Sequence, residues 1–366
     1  MLATQGQLTS AVPHSLIVRT TDSSRSDVLR AFEGGHLVRF WPFRGTLHIV
    51  ATEDHHWLRT LWAKRGGTWF ESRAAELGVG DHHVGRATHI ATERLQDGPV
   101  KRAELRSLWI DDGLGLDLPD SQQATLIYLL FVYLHQRGTM VAGPIRGNEH
   151  LLVGVSDVAD EPTGWAARIE AGDEGAIRTA YAEVARRYAL SHGPITPADL
   201  ARWTGASMGL CRRALEDAAT GNHPLPAAST KGSDLLEDVA VARYHFDGGS
   251  PIPCSKADRS HEDFYMRADL PQLLEANRKQ AMKTMFLAAF DELHVGYKDR
   301  SCLTDAAGET LICPGGNGMF RPFVLDRGRL VAVHPKTGLV WAKDPSKRVQ
   351  RDTARAMKDV SARLAR

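Results

Sequence analysis

The chain has 366 residues, of which 43% are hydrophobic, and its 45 Lys and Arg against 44 Asp and Glu leave a net charge of +1. This length allows a large core and indicates two or three domains. No apolar run approaches the roughly 20 residues that cross a membrane. The polar start lacks the features of a signal peptide, so we expect a cytoplasmic protein without a membrane partner.

The histidines and cysteines do not form a metal-binding pattern. The four cysteines are far apart in the sequence: Cys211, Cys254, Cys302 and Cys313. We expect reduced, structural thiols. The neighbouring histidines His55-His56 and His82-His83 would point to different faces of a helix, and we interpret them as surface residues. The glycine cluster at 315–318 lacks the strand-to-helix setting of a dinucleotide loop. The sequence therefore predicts neither a metal site nor a cofactor.

The first predicted element is a capped helix followed by a hairpin. The stretch TDSSRSDVLRAF has the spacing of a capping box before a helical segment. The sequence HLVRFWPFRGTLHIVA then places two β-prone runs on either side of Arg44-Gly45. A helical segment leading into a hairpin with a basic tip is typical of a winged helix, which commonly lies on DNA.

Internal repeats extend this pattern along the chain. The hairpin sequence PFRGTLH at 42–48 resembles PIRGNEH at 144–150, and GPVKRAEL at 98–105 resembles GPITPADL at 193–200. The repeats predict tandem winged helix-turn-helix units at 1–65, 70–155 and 175–245. The third unit is weaker, because its wing near DLLEDVAVARYHF has no Arg-Gly tip.

The remainder of the chain has a different composition. Short β-prone runs and turn clusters at 246–345 predict a small β-barrel. The tail at 346–366 predicts a closing helix, in which 347–366 carry seven Lys and Arg against two Asp. We expect Val349, Met357, Val360 and Leu364 to pack this helix on the body. The fold class is therefore α+β: tandem winged helix-turn-helix units, a small β-barrel and a C-terminal helix.

Four segments together resemble one known family. The segments are HLVRFWPFRGTLHIVATEDHHWL, RYALSHGPITPADLARWTG, FDELHVGYKDR and PGGNGMFRP. They resemble the AlkZ-like DNA glycosylases. The resemblance implies a stack of three winged helices capped by a β-barrel. It also implies a monofunctional enzyme that removes alkylated bases from double-stranded DNA, in some members unhooking interstrand crosslinks, without metal or cofactor.

The resemblance also implies a catalytic pair. Family members carry a Gln-φ-Gln signature, where φ is apolar, and Gln5 and Gln7 occupy the matching positions. The middle residue here is Gly6, which loosens the backbone. Members also have a leading helix before this pair, so we expect either a start placed too late or a truncated copy. Residues i and i+2 of an extended segment lie on one side, which would let both side chains reach one water.

DNA contact is expected from several polar residues. Arg44 and Arg146 at the two hairpin tips suit bidentate bonds to phosphate. The full set is Arg39, Arg44, Thr46, His48, Arg146, Arg212 and Arg213. For His48 the alternative is a packed core position, and for Arg44 and Arg146 it is a solvent-exposed position in a turn. The late-motif residues Asp291, Tyr297 and Arg321 are expected to be structural, and Trp41, Trp57 and Trp203 to fill the core.

Two alternatives to a repair enzyme remain open. Tandem winged helices are common in transcription regulators, and a fold alone does not imply catalysis. A regulator usually carries base-reading residues on its recognition helix, whereas SMGLCRRALEDAA offers mainly Arg212 and Arg213. The short start is also compatible with an inactive DNA-binding remnant. The enzyme interpretation predicts a monomer that acts on alkylated duplex DNA.

Overall fold

The computed structural model describes residues 1–116, 118–158, 164–221, 239–247, 249–254 and 262–366, without the side chains of 65–71. The chain divides into two compact units. One unit joins Met1–Val28 to Tyr181–Arg366, and the other is Leu29–Ala180. Each unit contains helices, antiparallel strands and buried apolar residues.

The unit Leu29–Ala180 combines helices with an antiparallel sheet. Its helices are α2 (Arg25–Glu33, which begins just before the unit), α3 (Thr52–Glu76), α4 (Asp81–Gln96), α5 (Arg102–Asp111), α6 (Asp120–Arg137) and α7 (Trp165–Glu170). Its strands are β2 (Leu37–Phe43), β3 (Thr46–Ala51), β4 (Met140–Arg146) and β5 (Glu149–Gly154). Within this unit the strand order is β3-β2-β4-β5. The two repeated hairpins therefore belong to one sheet, joined where Arg39 on β2 pairs with Ala142 on β4.

The first hairpin turns where the sequence predicts it. Arg44 and Gly45 both have positive φ, 50° and 69°, between the paired residues Phe43 and Thr46. Two residues with positive φ match the right-handed twist of the strands that they connect. In the second hairpin Arg146 still pairs with Glu149, so the turn is formed by Gly147 and Asn148. The tip of that hairpin thus lies one residue later than the sequence echo suggests.

Helix α6 supplies much of the apolar core of this unit. Its sequence ATLIYLLFVYL is apolar on most sides, and Leu130 and Leu134 are completely buried. They pack with Trp109 of α5 and Met140 of β4 in one cluster. The helix ends at Gly138, whose φ of 77° suits a left-handed C-cap. Burial of such large side chains stabilises the unit, because each contributes roughly 1.5–3 kcal/mol when removed from water.

The second unit begins with a short strand and continues with helices. Strand β1 spans Ala3–Gln5 and helix α1 spans Val12–Ile17. After residue 180 the unit contains the end of α8 (Glu174–His192), then α9 (Pro197–Thr204) and α10 (Met208–Thr220). Thr196 caps α9 in a reciprocal box with Asp199, and Gly205 ends the helix with a φ of 72°. Ser207 then caps α10. These local signals explain a pair of helices joined by a short turn.

Two antiparallel sheets follow these helices. The first, β6 (Val241–Asp247), β7 (Ser250–Pro253) and β8 (Phe264–Arg267), has the order β7-β6-β8. The start of the third predicted wing, 234–238, lies outside the described residues. The second, β9 (Met285–Leu287), β10 (Phe323–Asp326), β11 (Arg329–Val333) and β12 (Val340–Trp341), has the order β12-β11-β10-β9. In the part of the chain that the structure describes this sheet is open, so the closed barrel of the prediction is not observed there.

Three further helices belong to this unit, and a fourth ends the chain. They are α11 (Leu270–Ala281), α12 (Glu292–Val295), α13 (Ala306–Ile312) and α14 (Lys347–Ala365). The closing helix α14 confirms the prediction for the tail, with Val360 buried and Val349, Met357 and Leu364 half-buried. The helices that the structure describes include none that is long and apolar enough to cross a membrane.

Candidate functional site

The amino-terminal segment that carries the predicted glutamine pair is ordered and packed. Leu2 and Ala3 are each 2% exposed, and Gln5, the last residue of β1, is 7% exposed. A disordered polar end would leave these side chains in water. Gln7 lies in a bend after the strand and is exposed. The extended geometry therefore ends at Gln5, and the strict alternation expected for the pair does not continue to Gln7.

The backbone of Gln5 is tied to the start of helix α12. Its N–H donates to Glu292 Oε1 at 2.5 Å, across 287 residues of sequence. Glu292 is 1% exposed. Asp291 caps α12 by accepting a hydrogen bond from the N–H of Leu293 at 3.0 Å. The sequence FDEL thus starts a short helix whose first residue faces Gln5.

Glu292 has two further contacts within the same unit. Its Oε2 accepts from Trp203 Nε1 at 3.3 Å and contacts His192 Nε2 at 3.4 Å. Tyr188 stacks on both rings, with centroids 4.7 Å from Trp203 and 4.5 Å from His192. The hydroxyl of Tyr188 donates to the carbonyl of Gly296 at the end of α12. The carboxylate is therefore held in a rigid aromatic frame built from α8, α9 and α12.

A buried ion pair supports the same segment from the other side. Arg19 donates to both oxygens of Asp291, at 2.7 and 2.8 Å, and Asp291 is completely buried. Burial disfavours the charged form of Arg19, but the charge and hydrogen bonds of Asp291 outweigh it and raise the pKa of the guanidinium. Burial, together with the charges of Glu292 and Asp199, raises the pKa of Tyr297, whose hydroxyl donates to the carbonyl of His192 at 2.7 Å. These contacts agree with the structural role expected of Asp291 and Tyr297.

The side-chain oxygen of Gln5, unlike the backbone N–H of the same residue, has no hydrogen-bond partner among the described residues. Gln5 Oε1 is buried and has no hydrogen-bond donor among the residues that the structure describes. Most buried polar atoms in proteins have such a partner, and each exception calls for an explanation such as strain, a catalytic role or a bound water. A carboxamide oxygen is a good acceptor that carries no charge at any ordinary pH. This atom can therefore accept a hydrogen bond from a water or from a substrate.

The hairpin residues predicted to contact DNA all lie in the unit Leu29–Ala180. Arg44 is half-buried at the first tip, and Thr46 beside it donates to the carbonyl of Phe43 at 3.2 Å. Arg146 is the last residue of β4, where it pairs with Glu33 at 2.6 Å, and both side chains are about half exposed. His48 is completely buried against the ring of Phe43, which matches the core alternative given for it.

Arg39 lies in an electropositive part of the same sheet. Burial and the nearby Arg102 lower the pKa of Arg39 to about 10. Burial, with repulsion from Arg39, lowers the pKa of His150 to about 4, and burial also lowers the pKa of His135 to about 4. These histidines therefore stay neutral at physiological pH, whereas both arginines stay charged. Such an environment attracts an anion such as a phosphate.

The remaining sequence predictions have mixed outcomes. Arg212 and Arg213 are exposed on α10, in the unit that joins Met1–Val28 to Tyr181–Arg366. Trp41, Trp57 and Trp203 are buried, as predicted. The expectation of surface histidines is wrong for His55, which is completely buried with its ring edge against Phe40, because α3 packs that face on the sheet. Among the residues that the structure describes, Cys211, Cys254, Cys302 and Cys313 form no disulfide.

Sequence reasoning missed the residues around Gln5. Glu292, His192, Trp203 and Tyr188 come together only through the fold. An acidic residue in the apolar run MFLAAFDELHV was the one available signal, since charged residues are rarely buried without partners. The described residues include no group of three or more His, Cys, Asp and Glu placed to hold a metal ion.

The comparison with known families identifies the class of protein. The sequence matches the family described as "DNA glycosylase AlkZ-like" over residues 1–366, so the chain belongs to the AlkZ-like family of DNA glycosylases. This confirms the resemblance seen in the sequence. The fold is similar to that of the Streptomyces sahachiroi DNA glycosylase AlkZ, with a TM-score of 0.64 and 18% identity over 100% of this chain and 89% of that chain. No curated protein matches the sequence.

Proposed function

We propose that this chain is a monofunctional DNA repair glycosylase that hydrolyses the N-glycosidic bond of purines alkylated at N3 or N7. Water is the nucleophile, and Gln5 and Gln7 are the catalytic pair. The enzyme acts as a monomer on double-stranded DNA in the cytoplasm, without a metal or cofactor. An interstrand crosslink attached through the same purine nitrogens presents the same cationic leaving group, so its unhooking follows from the same chemistry.

One observation carries this proposal: the position of the Gln5 side chain. Its backbone N–H is fixed by Glu292 at 2.5 Å. Its buried carboxamide oxygen has no donor within the described part of the chain. A fixed backbone with an unused acceptor is the arrangement that a water-orienting residue requires, because orientation of a reactant lowers the entropic cost of reaction.

The chemistry of the leaving group explains why an uncharged side chain suffices. An amide is too weak a base to deprotonate water at neutral pH. A purine alkylated at N3 or N7 already carries a positive charge, so it departs readily and leaves an oxocarbenium-like sugar. Water that attacks this cation needs orientation more than deprotonation. Undamaged bases are poor leaving groups, and the same weak catalyst therefore spares them.

The other predicted residues hold different parts of the substrate in this proposal. Gln7, exposed just after Gln5, would hold the water or the sugar. The proposed DNA contacts are Arg39, Arg44, Thr46, Arg146, Arg212 and Arg213. Contacts to phosphate position a duplex without reading its sequence. Fully buried His48 would act by supporting the first hairpin tip.

The test uses a duplex with a single N7-methylguanine and hot alkali, which converts an abasic site into a strand break. The parent protein should produce the break, and Gln5→Ala or Gln7→Ala should lower the single-turnover rate by about 10²-fold, or about 2.7 kcal/mol. Gln280→Ala, on the exposed face of α11, is the matched control and should retain the parent rate. Affinity for the duplex should be nearly unchanged in all variants.

Two other results would favour the alternatives. If both glutamine variants excise the base at the parent rate, the assignment of the catalytic pair is wrong. If the parent binds one DNA sequence tightly and produces no breaks, a transcription regulator is favoured. If the parent protein neither excises the base nor binds one DNA sequence tightly, an inactive remnant is favoured.

A further inference from the structure

The carboxylate of Glu292 occupies an unusual position. It is 1% exposed, and it meets three N–H groups from separate segments: the backbone of Gln5, the indole of Trp203 and the ring of His192. A carboxylate oxygen only accepts hydrogen bonds, so the contact with His192 is a hydrogen bond in the tautomer that carries a proton on Nε2. Burying a carboxylate is costly unless donors surround it. The fold therefore holds this buried carboxylate among donors that come from separate segments of the chain.

We propose that Glu292 is a positioning residue of the glycosylase, which fixes the backbone of Gln5 and through it the direction of the Gln5 carboxamide. This role rests on the proposed function of Gln5. Glu292 contacts the peptide N–H of Gln5 rather than its side chain, so it acts through the glutamine.

The local sequence explains why such a support is needed. Strand β1 ends at Gln5, and the next residue is Gly6, which has more backbone freedom than any other residue type. A hydrogen bond to a charged acceptor is stronger than one between neutral groups and restricts that freedom. A displacement of about 1 Å in a reacting geometry can cost about 10²-fold in rate. The bond at 2.5 Å therefore replaces the rigidity that an apolar middle residue would give.

The surroundings also explain why the residue is a glutamate. The three neighbouring groups are all donors, and a carboxylate accepts from all of them. A glutamine at 292 would turn its own NH₂ toward at least one of these donors. The frame cannot easily adjust, because Tyr188 stacks on both Trp203 and His192. Glu292→Ala should therefore release Gln5, and Glu292→Gln should weaken the bond to its N–H by replacing a charged acceptor with a neutral one.

The first experiment measures excision of N7-methylguanine at saturating enzyme, together with affinity for a duplex that contains a stable abasic analogue. Glu292→Ala and Glu292→Gln should lower the excision rate by about tenfold or more, with affinity unchanged. The control is Asp326→Asn, an acid-to-amide change at a buried carboxylate of the same unit that bonds Thr284 and Arg348. It should lower stability but not the excision rate. If both Glu292 variants excise N7-methylguanine at the rate of the parent protein, the proposal is overturned.

A double-variant cycle separates positioning from a general loss of structure. If Glu292 acts through Gln5, Glu292→Ala should have no further effect on the rate in a Gln5→Ala background. An equal loss in both backgrounds would overturn the proposal.

A spectroscopic readout keeps the outcome independent of the proposed function. In protein labelled with ¹⁵N-glutamine, the Gln5 amide proton should resonate far downfield and move upfield in Glu292→Gln. An unshifted resonance would overturn the proposal even if the parent is an active glycosylase. A shifted resonance in a parent without excision activity would instead reject the proposed function and retain the contact.

Discussion

The ion pair between Arg19 and Asp291 offers a sharp test of how the site is supported. Asp291 accepts two hydrogen bonds from Arg19, at 2.7 and 2.8 Å, and it also caps the helix that begins at Glu292. The perturbation is Asp291→Asn, which keeps the shape of the side chain and removes its charge. Arg19 would then remain largely buried without its counter-ion.

The expected magnitude follows from burial. Removing one partner of a buried pair costs about 3–5 kcal/mol. The side chain of Arg19 is 21% exposed, against 0% for Asp291, so water relieves part of this cost and we expect about 3 kcal/mol. The pair Arg278–Glu275 in the same unit has side chains 63% and 74% exposed. Glu275→Gln should therefore cost less than about 1 kcal/mol.

Urea unfolding, followed by far-ultraviolet circular dichroism, measures both variants against the parent protein. The midpoint of Asp291→Asn should fall while the dependence on urea stays the same, because the surface exposed on unfolding does not change. A loss below about 1 kcal/mol, similar to that of Glu275→Gln, would refute the reasoning that this pair is a main support of the site.

Three further predictions concern the unit Leu29–Ala180. Glu33→Gln releases Arg146 from its ion pair and should raise affinity for duplex DNA by about two- to fivefold in fluorescence anisotropy at fixed salt; unchanged affinity would argue against a phosphate contact by Arg146. Gly45→Val forces a β-branched residue to a φ of 69° and should cost about 1–3 kcal/mol in chemical denaturation, whereas a neutral result would contradict the turn geometry. Burial, with repulsion from Arg39, lowers the pKa of His150 to about 4, so the unfolded chain takes up a proton below about pH 6.5 while the folded protein does not. The free energy of unfolding should therefore fall as pH drops from about 6.5 to about 4. In His150→Gln the slope of the free energy against pH should decrease by the amount that corresponds to about one proton. An unchanged slope in this variant would contradict the low pKa of His150.

The local elements of the fold were readable from the sequence. The capping-box spacing in TDSSRSDVLRAF predicts a helix start, and in the structure Ser24 and Asp27 exchange hydrogen bonds at the start of α2. The turn at Arg44-Gly45 was equally clear, because two residues with positive φ close a hairpin tightly. Signals of this kind act over a few residues, so tertiary packing does not change them.

Pairings between distant segments were not readable in the same way. The repeat at 42–48 and 144–150 indicated two hairpins, but not that Arg39 and Ala142 join them in one sheet. The tip at Gly147-Asn148 reflects a strand register that differs between the two hairpins. A register is set by side-chain packing on both faces of a sheet, which a repeat in the sequence does not encode.

The candidate site was predicted in part. The glutamine pair was found through the family resemblance, and the chain indeed belongs to that family. Glu292 was missed because it meets Gln5 across 287 residues of sequence. Among the groups that its carboxylate contacts are those of Gln5, His192 and Trp203, which come from β1, α8 and α9.

The most direct measurement of the central claim is the release of free N7-methylguanine from duplex DNA, followed by mass spectrometry in a single turnover. The account predicts release by the parent protein, with ¹⁸O from labelled water in the abasic sugar, and almost none by a folded Gln5→Ala variant. Release by Gln5→Ala at the parent rate would contradict it.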